Sequence, residues 1–245
     1  MAEINKLSNI NILKKLWQGY EADEQAINIF KNIRYYPLAG ISSSGRDSLI
    51  RSLKLNYEDV YDLVTTTTRK PRVNNGKLEE NGVEYFFVSE DQFLDKIKNK
   101  QMLEWAIIHA QQLSGLDSAT LTDIPGGNYI INDIEIAGAL KLIKQFNTIK
   151  PIFILPPSFE EWQTRLSNRG EMPREEFIQR MRSAKKELIL GLEEPKFHFI
   201  INDDLEVARD EIYKYMSEAV ACDQTKARII AREIINEIDD LIEQV

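Results

Sequence analysis

Across residues 1–32, Ile12, Leu13, Leu16, Ala26, Ile27 and Phe30 recur at loosely helical spacing between balanced lysines and acids. This predicts an amphipathic helix packed on the body. Residues 33–39, IRYYPLA, predict a short strand that runs into a Gly- and Ser-rich loop and a helix, GISSSGRDSLIRSLK. YDLVTTTTR and VEYFFVS are β-rich, and EDQFLDKIKNKQMLEWA reads as helix. Asn81-Gly82 and Gly126-Gly127 mark turns. YIINDIE, PIFILPP and FHFIIND read as strands, and PIFILPP is of the kind buried in parallel sheets. Helical patterns follow or separate them: IAGALKLIKQF, SFEEWQTRLSNRG, REEFIQRMRSAKKELILG and LEVARDEIYKYM. Ser158 and Glu161 have the spacing of a capping box, and the long polar helix is read as closing at Gly191. Strands alternating with helices predict an α/β fold with a mostly parallel core. In the tail, 217–245, Ile229, Ile230, Ile234, Ile235, Ile238, Leu241 and Ile242 fall on one side of a helix. That helix is read as docked on the body or, alternatively, as a dimerisation element.

Composition narrows the class. The chain has 245 residues, 43% of them hydrophobic and 29% charged, with a net charge of −8. These are ordinary globular values. One cysteine, Cys222, excludes an internal disulfide, and two histidines with it argue against a structural zinc site. The start, MAEINKLSNINILKKLW, lacks the apolar core of a secretory signal, and no run approaches a membrane span. The acidic balance argues against broad nucleic-acid or membrane-surface binding, so an anionic ligand must be drawn by a local basic pocket. A reducing, cytoplasmic setting is expected.

Four clusters carry candidate chemistry. Gly40, Ile41, Ser42, Ser43, Ser44, Gly45, Arg46, Asp47 and Ser48 have the frame of a phosphate loop, G-x-x-x-x-G-K-[ST]. Such a loop aims backbone N–H groups and a helix N-terminus at phosphate oxygens. Arg46 stands at its lysine position and Asp47 at its hydroxyl position. The plain alternative is a Gly-Ser turn. Arg69 and Arg72, spaced by Lys70-Pro71, can fork onto one phosphate, with a threonine hydroxyl and Tyr85 nearby. Alternatively they form a basic surface loop. Glu104 beside Trp105 could accept from the amino and ring N–H groups of a base such as guanine, or simply end a helix. Arg165 and Arg169, four apart on one helix face, and Arg180 could stabilise a transferring phosphoryl group, or face solvent.

Taken in order, TTTRKPR, NGVEYFFVS, KNKQMLEWA, DIEIAGAL, IFILPPS, RLSNRG and IINDDL resemble the guanylate kinases over roughly residues 35–216. The resemblance implies a P-loop nucleoside monophosphate kinase-like fold within 33–216, a three-layer α/β structure with a parallel-sheet core. It adds a small β-rich GMP-binding subdomain at about 64–127 and a helical lid at about 158–192. The helix at 1–32 and the acidic helix at 217–245 fall outside and could serve a homodimer or protein partner. The implied reaction is phosphoryl transfer from MgATP to GMP, giving ADP and GDP. Arg69, Arg72 and Tyr85, with Thr65, would hold the GMP phosphate, and Glu104 and Glu135 would read guanine. Gly40, Ser42, Ser44, Gly45, Arg46, Asp47 and Ser48 would cradle ATP, with Asn202 beside adenine. Arg46, Arg165, Arg169 and Arg180 would contact ATP phosphates and the transferred group. Asp47 and Asp133 are the candidate Mg²⁺ residues.

The family loop reads roughly G-P-S-G-x-G-K-S-T, and Ile41, Ser43, Arg46, Asp47 and Ser48 depart from it. Ser43 adds a Cβ where backbone must approach phosphate. The planar fork of Arg46 cannot make a lysine's point contact. Asp47 repels ATP unless it is paired with metal. Pro37 also sits in the strand that should be central, where a donor is normally needed. On the monophosphate side, residues 110–116 replace G-N-Y-Y-G-[ST], Ala137 replaces a glutamine, and residues 74–80 lengthen the loop before Tyr85. Three readings follow. One is an active, divergent nucleotide kinase. Another is a module that binds nucleotide, phosphopeptide or protein without catalysis. The third is a structural subunit whose pocket is vestigial.

Overall fold

The computed structural model describes residues 10–74, 76–108, 111–121, 124, 126–168, 170, 172–218 and 223–243. Helices α1 (Ile10–Gln18) and α2 (Glu24–Phe30) precede β1 (Arg34–Gly40) and α3 (Arg46–Asn56). Short strands follow: β2 (Val60–Asp62), β3 (Thr66–Thr67), β4 (Val73–Asn74), β5 (Lys77–Leu78) and β6 (Phe86–Phe87). Next come α4 (Glu90–Lys98), β7 (Met102–Ile108), β8 (Gln112–Asp117) and a 3₁₀ turn at Ser118–Leu121. The rest is β9 (Tyr129–Asp133), α5 (Ile136–Gln145), β10 (Ile152–Leu155), α6 (Phe159–Ser167), α7 (Arg174–Glu193), β11 (His198–Ile201), α8 (Leu205–Glu218) and α9 (Gln224–Glu243). Two compact units form: Arg34–Tyr61 with Tyr129–Val245, and Met1–Ile33 with Asp62–Asn128.

The first of these is built on a sheet of order β11-β10-β1-β9-β2, in which β1, β9, β10 and β11 pair in parallel. Leu38, Ile131, Ile152, Ile154 and Ile200 are buried between its strands and helices α3 and α8, which contribute Leu49, Leu53, Ala208 and Ile212. Each buried leucine or isoleucine among them contributes roughly 1.5–3 kcal/mol. Pro37 is tolerated in the middle strand because the ladder to β10 begins only at Leu38↔Ile152. Gly191 does not end the long helix: α7 runs on to Glu193. A Cβ at Gly191 would come within 2.7 Å of the Phe153 ring, so glycine lets helix and sheet approach. Helix α9 packs on α6, α7 and β11 through Ala227, Ala231, Ile234 and Ile238. Lys185 and Asp239 form an ion pair between α7 and α9, and Arg228 donates to the Leu192 carbonyl at 3.1 Å. Among the described residues no helix is long and apolar enough to cross a membrane.

The other unit has a sheet of order β6-β3-β8-β7, with β7 and β8 antiparallel. Leu13 of α1 packs there with Phe93, Ile97, Met102, Trp105 and Leu113. Trp17 donates to the Trp105 carbonyl at 2.5 Å and Tyr20 to the Met102 carbonyl at 2.7 Å, tying α1 and the segment after it to β7. Three local readings change. The expected helix of residues 1–32 is two helices, broken after Gly19, and Asp23 caps the second by accepting from the Gln25 N–H at 2.8 Å. Residues 1–9 of that reading lie outside the described residues. The helix expected through KNKQMLEWA stops at Lys98, Lys100 takes a φ of 56°, and Met102–Ile108 is strand, so Glu104 does not end a helix. The reciprocal capping box sits at Ser89 and Gln92; Ser158 does accept from the Glu161 N–H, but the Glu161 carboxylate pairs with Arg165.

Candidate nucleotide site

The glycine-rich loop joins β1 to α3, so it emerges at the C-terminal end of the central strand, where α/β sheets open to ligands. Gly40 has a φ of 149°, and a Cβ there would come within 2.5 Å of the Ile154 carbonyl oxygen on β10. Gly45, the residue before α3, has a φ of 100°. Ser43 takes a φ of 65°, a left-handed conformation that costs a residue with a Cβ about 1–2 kcal/mol. The Ser43 and Ser44 hydroxyl oxygens are buried without a hydrogen-bond partner among the described residues.

Arg46 begins α3 with its guanidinium turned onto the protein itself. Nη1 lies 3.0 Å from Asp133 Oδ1 at the end of β9 and donates to the Ile134 carbonyl at 3.2 Å. Burial works against the charge, but Asp133, Glu135, Glu187 and Asp47 outweigh it and raise the Arg46 pKa. The same burial pushes the Glu187 carboxyl up to about 7, with Glu135 adding to the effect and Arg46 opposing it. Asp47 and Ser48 are exposed on the first turn of α3. Glu135 is exposed at the start of α5.

Other elements converge on the loop. The Trp162 indole of α6 donates to the Ser42 carbonyl at 2.7 Å, and the Asn202 carboxamide, after β11, donates to the Ser44 carbonyl at 2.8 Å. Arg180 of α7 reaches the Ser42 hydroxyl at 3.5 Å while paired with Glu176. Arg165 of α6 is paired with Glu161 at 2.8 Å. Arg169 lies outside the described residues.

In the other unit, Thr65, Thr66 and Thr67 are buried at β3, and Thr65 accepts from the Phe86 N–H at 2.8 Å. Arg69 makes a two-bonded fork with Glu79, at 2.7 and 3.0 Å, and its guanidinium lies 5.0 Å from the Tyr85 ring centre. Glu79 also accepts from the Arg72 N–H at 2.8 Å. Burial would raise the Glu79 pKa, yet Arg69 and Arg72 hold it below the usual range. Glu104 is buried on β7, opposite Leu116 of β8. Arg69 and the Arg72 backbone thus gather around one carboxylate, with Tyr85 beside the Arg69 guanidinium.

Glu79 and Trp162 were not singled out from sequence. The signal for Glu79 was available: Asn75-Gly76 is a hairpin signal in the sequence, and the pairing of Val73 with Leu78 sets Arg72 opposite Glu79. Trp162 offered only a tryptophan at core spacing between Phe159 and Leu166.

Residues 32–219 match the guanylate kinase family. The chain is 34% identical over 181 residues to a guanylate kinase of Corynebacterium diphtheriae, covering 73% of this chain and 92% of that protein. It is 36% identical over 175 residues to one from a Nostoc species, covering 71% and 85%. A solved guanylate kinase structure from Anaplasma phagocytophilum superposes with a TM-score of 0.59 at 23% identity, covering 84% of this chain and 95% of that one. That superposition supports the P-loop kinase-like α/β fold. The sequence match runs from the residues before β1 to just past α8, and so takes in the loop, both sheets and the arginine-bearing helices: the chain belongs to the guanylate kinase family.

Proposed function

We propose that this chain is a divergent guanylate kinase that moves the γ-phosphoryl group of MgATP onto GMP. The bond from the γ-phosphorus to its bridging oxygen breaks as a GMP phosphate oxygen bonds to that phosphorus, leaving ADP and GDP. Ser43 carries this reading. It holds a left-handed backbone at a family glycine position, so the loop keeps its anion-binding shape at an energetic cost although its side chains have changed. The buried Ser43 and Ser44 hydroxyls are donors in search of an acceptor, which phosphate oxygens supply.

Mg²⁺ arriving on ATP offsets phosphate charge when bound and needs only one or two protein carboxylates. Asp47 and Asp133 would be the residues that hold it; Asp133 is paired with Arg46. Arg180 and Arg165 would meet the charge that develops on the transferred group. Arg69 and Tyr85, with Thr65 and Arg72, would hold the GMP phosphate, and Glu104 and Glu135 would accept from guanine. A nucleotide enzyme of this kind would work in the cytoplasm.

The ion pair of Arg46 favours a second reading, a family module that binds ligand without catalysis. A loop cation already matched by carboxylates adds little attraction for ATP. ADP release from GMP and MgATP, measured at high enzyme concentration, decides between them. Turnover supports the kinase. GMP binding by calorimetry, with neither turnover nor ATP binding, supports the module.

A further inference from the structure

We infer that Trp162 is a positioning residue for the phosphate loop, acting through a single hydrogen bond to the Ser42 carbonyl. The inference rests on the loop's proposed role in holding a nucleoside triphosphate. A phosphate loop works through its N–H groups, and these point inward only if the intervening carbonyls point outward. A trans peptide sets the C=O of one residue opposite the N–H of the next, and no cis bond occurs among the described residues. Fixing a carbonyl on the outside of the loop therefore aims the following N–H at its inside.

Four of the loop's carbonyls are held by hydrogen bonds. That of Ile41 accepts from the Ser44 N–H at 3.1 Å, and that of Gly45 from the Leu49 N–H of α3 at 3.0 Å. Neither bond reaches the carbonyls of Ser42 and Ser44. The Ser42 carbonyl is held by Trp162 at 2.7 Å and the Ser44 carbonyl by Asn202 at 2.8 Å, which directs the N–H groups of Ser43 and Gly45 away from both side chains. Trp162 thus orients the strained residue of the loop, since Ser43 follows the carbonyl that it holds.

The tryptophan suits this task. Its side chain is fully buried, with its ring 5.9 Å from that of Phe159, so its two dihedral angles are set by packing. A phenylalanine side chain would fill most of the same space and leave the Ser42 carbonyl without that donor. Trp162 lies one turn before Arg165 on α6, and the neighbouring Ser42 hydroxyl faces Arg180 of α7. One bond therefore sets the loop in register with both arginine-bearing helices.

The test replaces Trp162 by 3-benzothienylalanine, which keeps the ring's shape and exchanges the N–H for sulfur. Trp162→Phe serves as a second variant. MgATP and GMP are titrated separately by calorimetry, and thermal unfolding is recorded. The expected result is a Kd for MgATP raised about 5- to 20-fold with the Kd for GMP within twofold of wild type. A purely structural role would move both ligands and the unfolding midpoint together. Equal MgATP affinity in wild type and the benzothienyl variant, or equal losses for both ligands, overturns the inference and leaves the proposed function standing. A wild-type chain that binds no MgATP overturns both.

Discussion

Arg46 Nη1 lies 3.0 Å from Asp133 Oδ1, so the cation at the loop's lysine position is engaged by its own protein. The ion pair is largely shielded, with 16% of the Arg46 side chain exposed, and Asp47, Glu135 and Glu187 add to the surrounding negative field. A lysine ammonium at this point is compact and turns freely, whereas the guanidinium is anchored at two places. Replacing Arg46→Lys and Asp47→Ser together returns the point charge and exchanges the Asp47 carboxylate, a candidate Mg²⁺ residue, for the hydroxyl that the phosphate-loop pattern places there. The expected outcome is a rise of about 10- to 100-fold in kcat/KM for MgATP, or roughly 1.4–2.7 kcal/mol of transition-state stabilisation. Steady-state kinetics with no gain would place the limitation outside the loop.

Ser43→Gly removes a strained Cβ and a buried hydroxyl that has no partner among the described residues. The relief, about 1–2 kcal/mol, exceeds the added entropy of an unfolded glycine, about 0.5–1 kcal/mol. A net gain of about 1 kcal/mol in urea unfolding is expected. A loss would mean that the serine side chain contributes a bond of its own.

Glu187 gives a pH signature. Its carboxyl is pushed up to about 7, first by burial and then by Glu135, with Asp133 adding to this while Arg46 and the Ser183 hydroxyl work the other way. A raised folded-state value means that the native chain holds the proton more tightly than the unfolded one does. The stability this provides is complete below about 4.5 and is lost as pH rises through about 7. Glu187→Gln mimics the protonated form. Its stability should match wild type at pH 4 and exceed it at pH 8 by about 3 kcal/mol, at 1.36 kcal/mol for each pH unit between about 4.5 and about 7. Urea melts at the two pH values that differ by a constant amount would sink this assignment.

Glu79→Ala breaks the fork on Arg69, a pair with side chains only 6% and 11% exposed. Removing one partner of such a pair costs about 3 kcal/mol, because the remaining charge is left shielded and unmatched. The lowered Glu79 pKa means that this contribution is present above about 4.5 and fades as pH falls below it. GMP affinity should fall with loss of Arg69 orientation, while MgATP affinity stays put. Calorimetry with both ligands checks the split, and an unchanged GMP affinity would remove Arg69 from the phosphate site.

The parallel core was readable because its strands, such as IFIL of β10, are apolar runs between helical patterns. The break after α1 was readable too, since Gly19 and the capping Asp23 stand in the sequence, but loose apolar spacing on either side masked it. Residues 102–105, MLEW, fit a helix as well as a strand, and tertiary pairing with β8 decided for strand. The destination of Arg46 was not readable. Asp133 is distant in sequence, and only the parallel register of β1 and β9 brings the two together. Trp162 was hidden for the same reason, because its acceptor is a backbone carbonyl that carries no side-chain signal.

The unit that holds Arg69 is assembled from two separated stretches of chain, and this bears on synthesis. Leu13 leaves the ribosome about a hundred residues before Leu113, the last member of its cluster. At about 5–20 residues per second, α1 therefore waits roughly 5–20 s with its apolar face uncovered. Slowing translation between Phe30 and Phe93 lengthens that wait, so codon choice over that stretch governs how long α1 stays open to aggregation or to a chaperone.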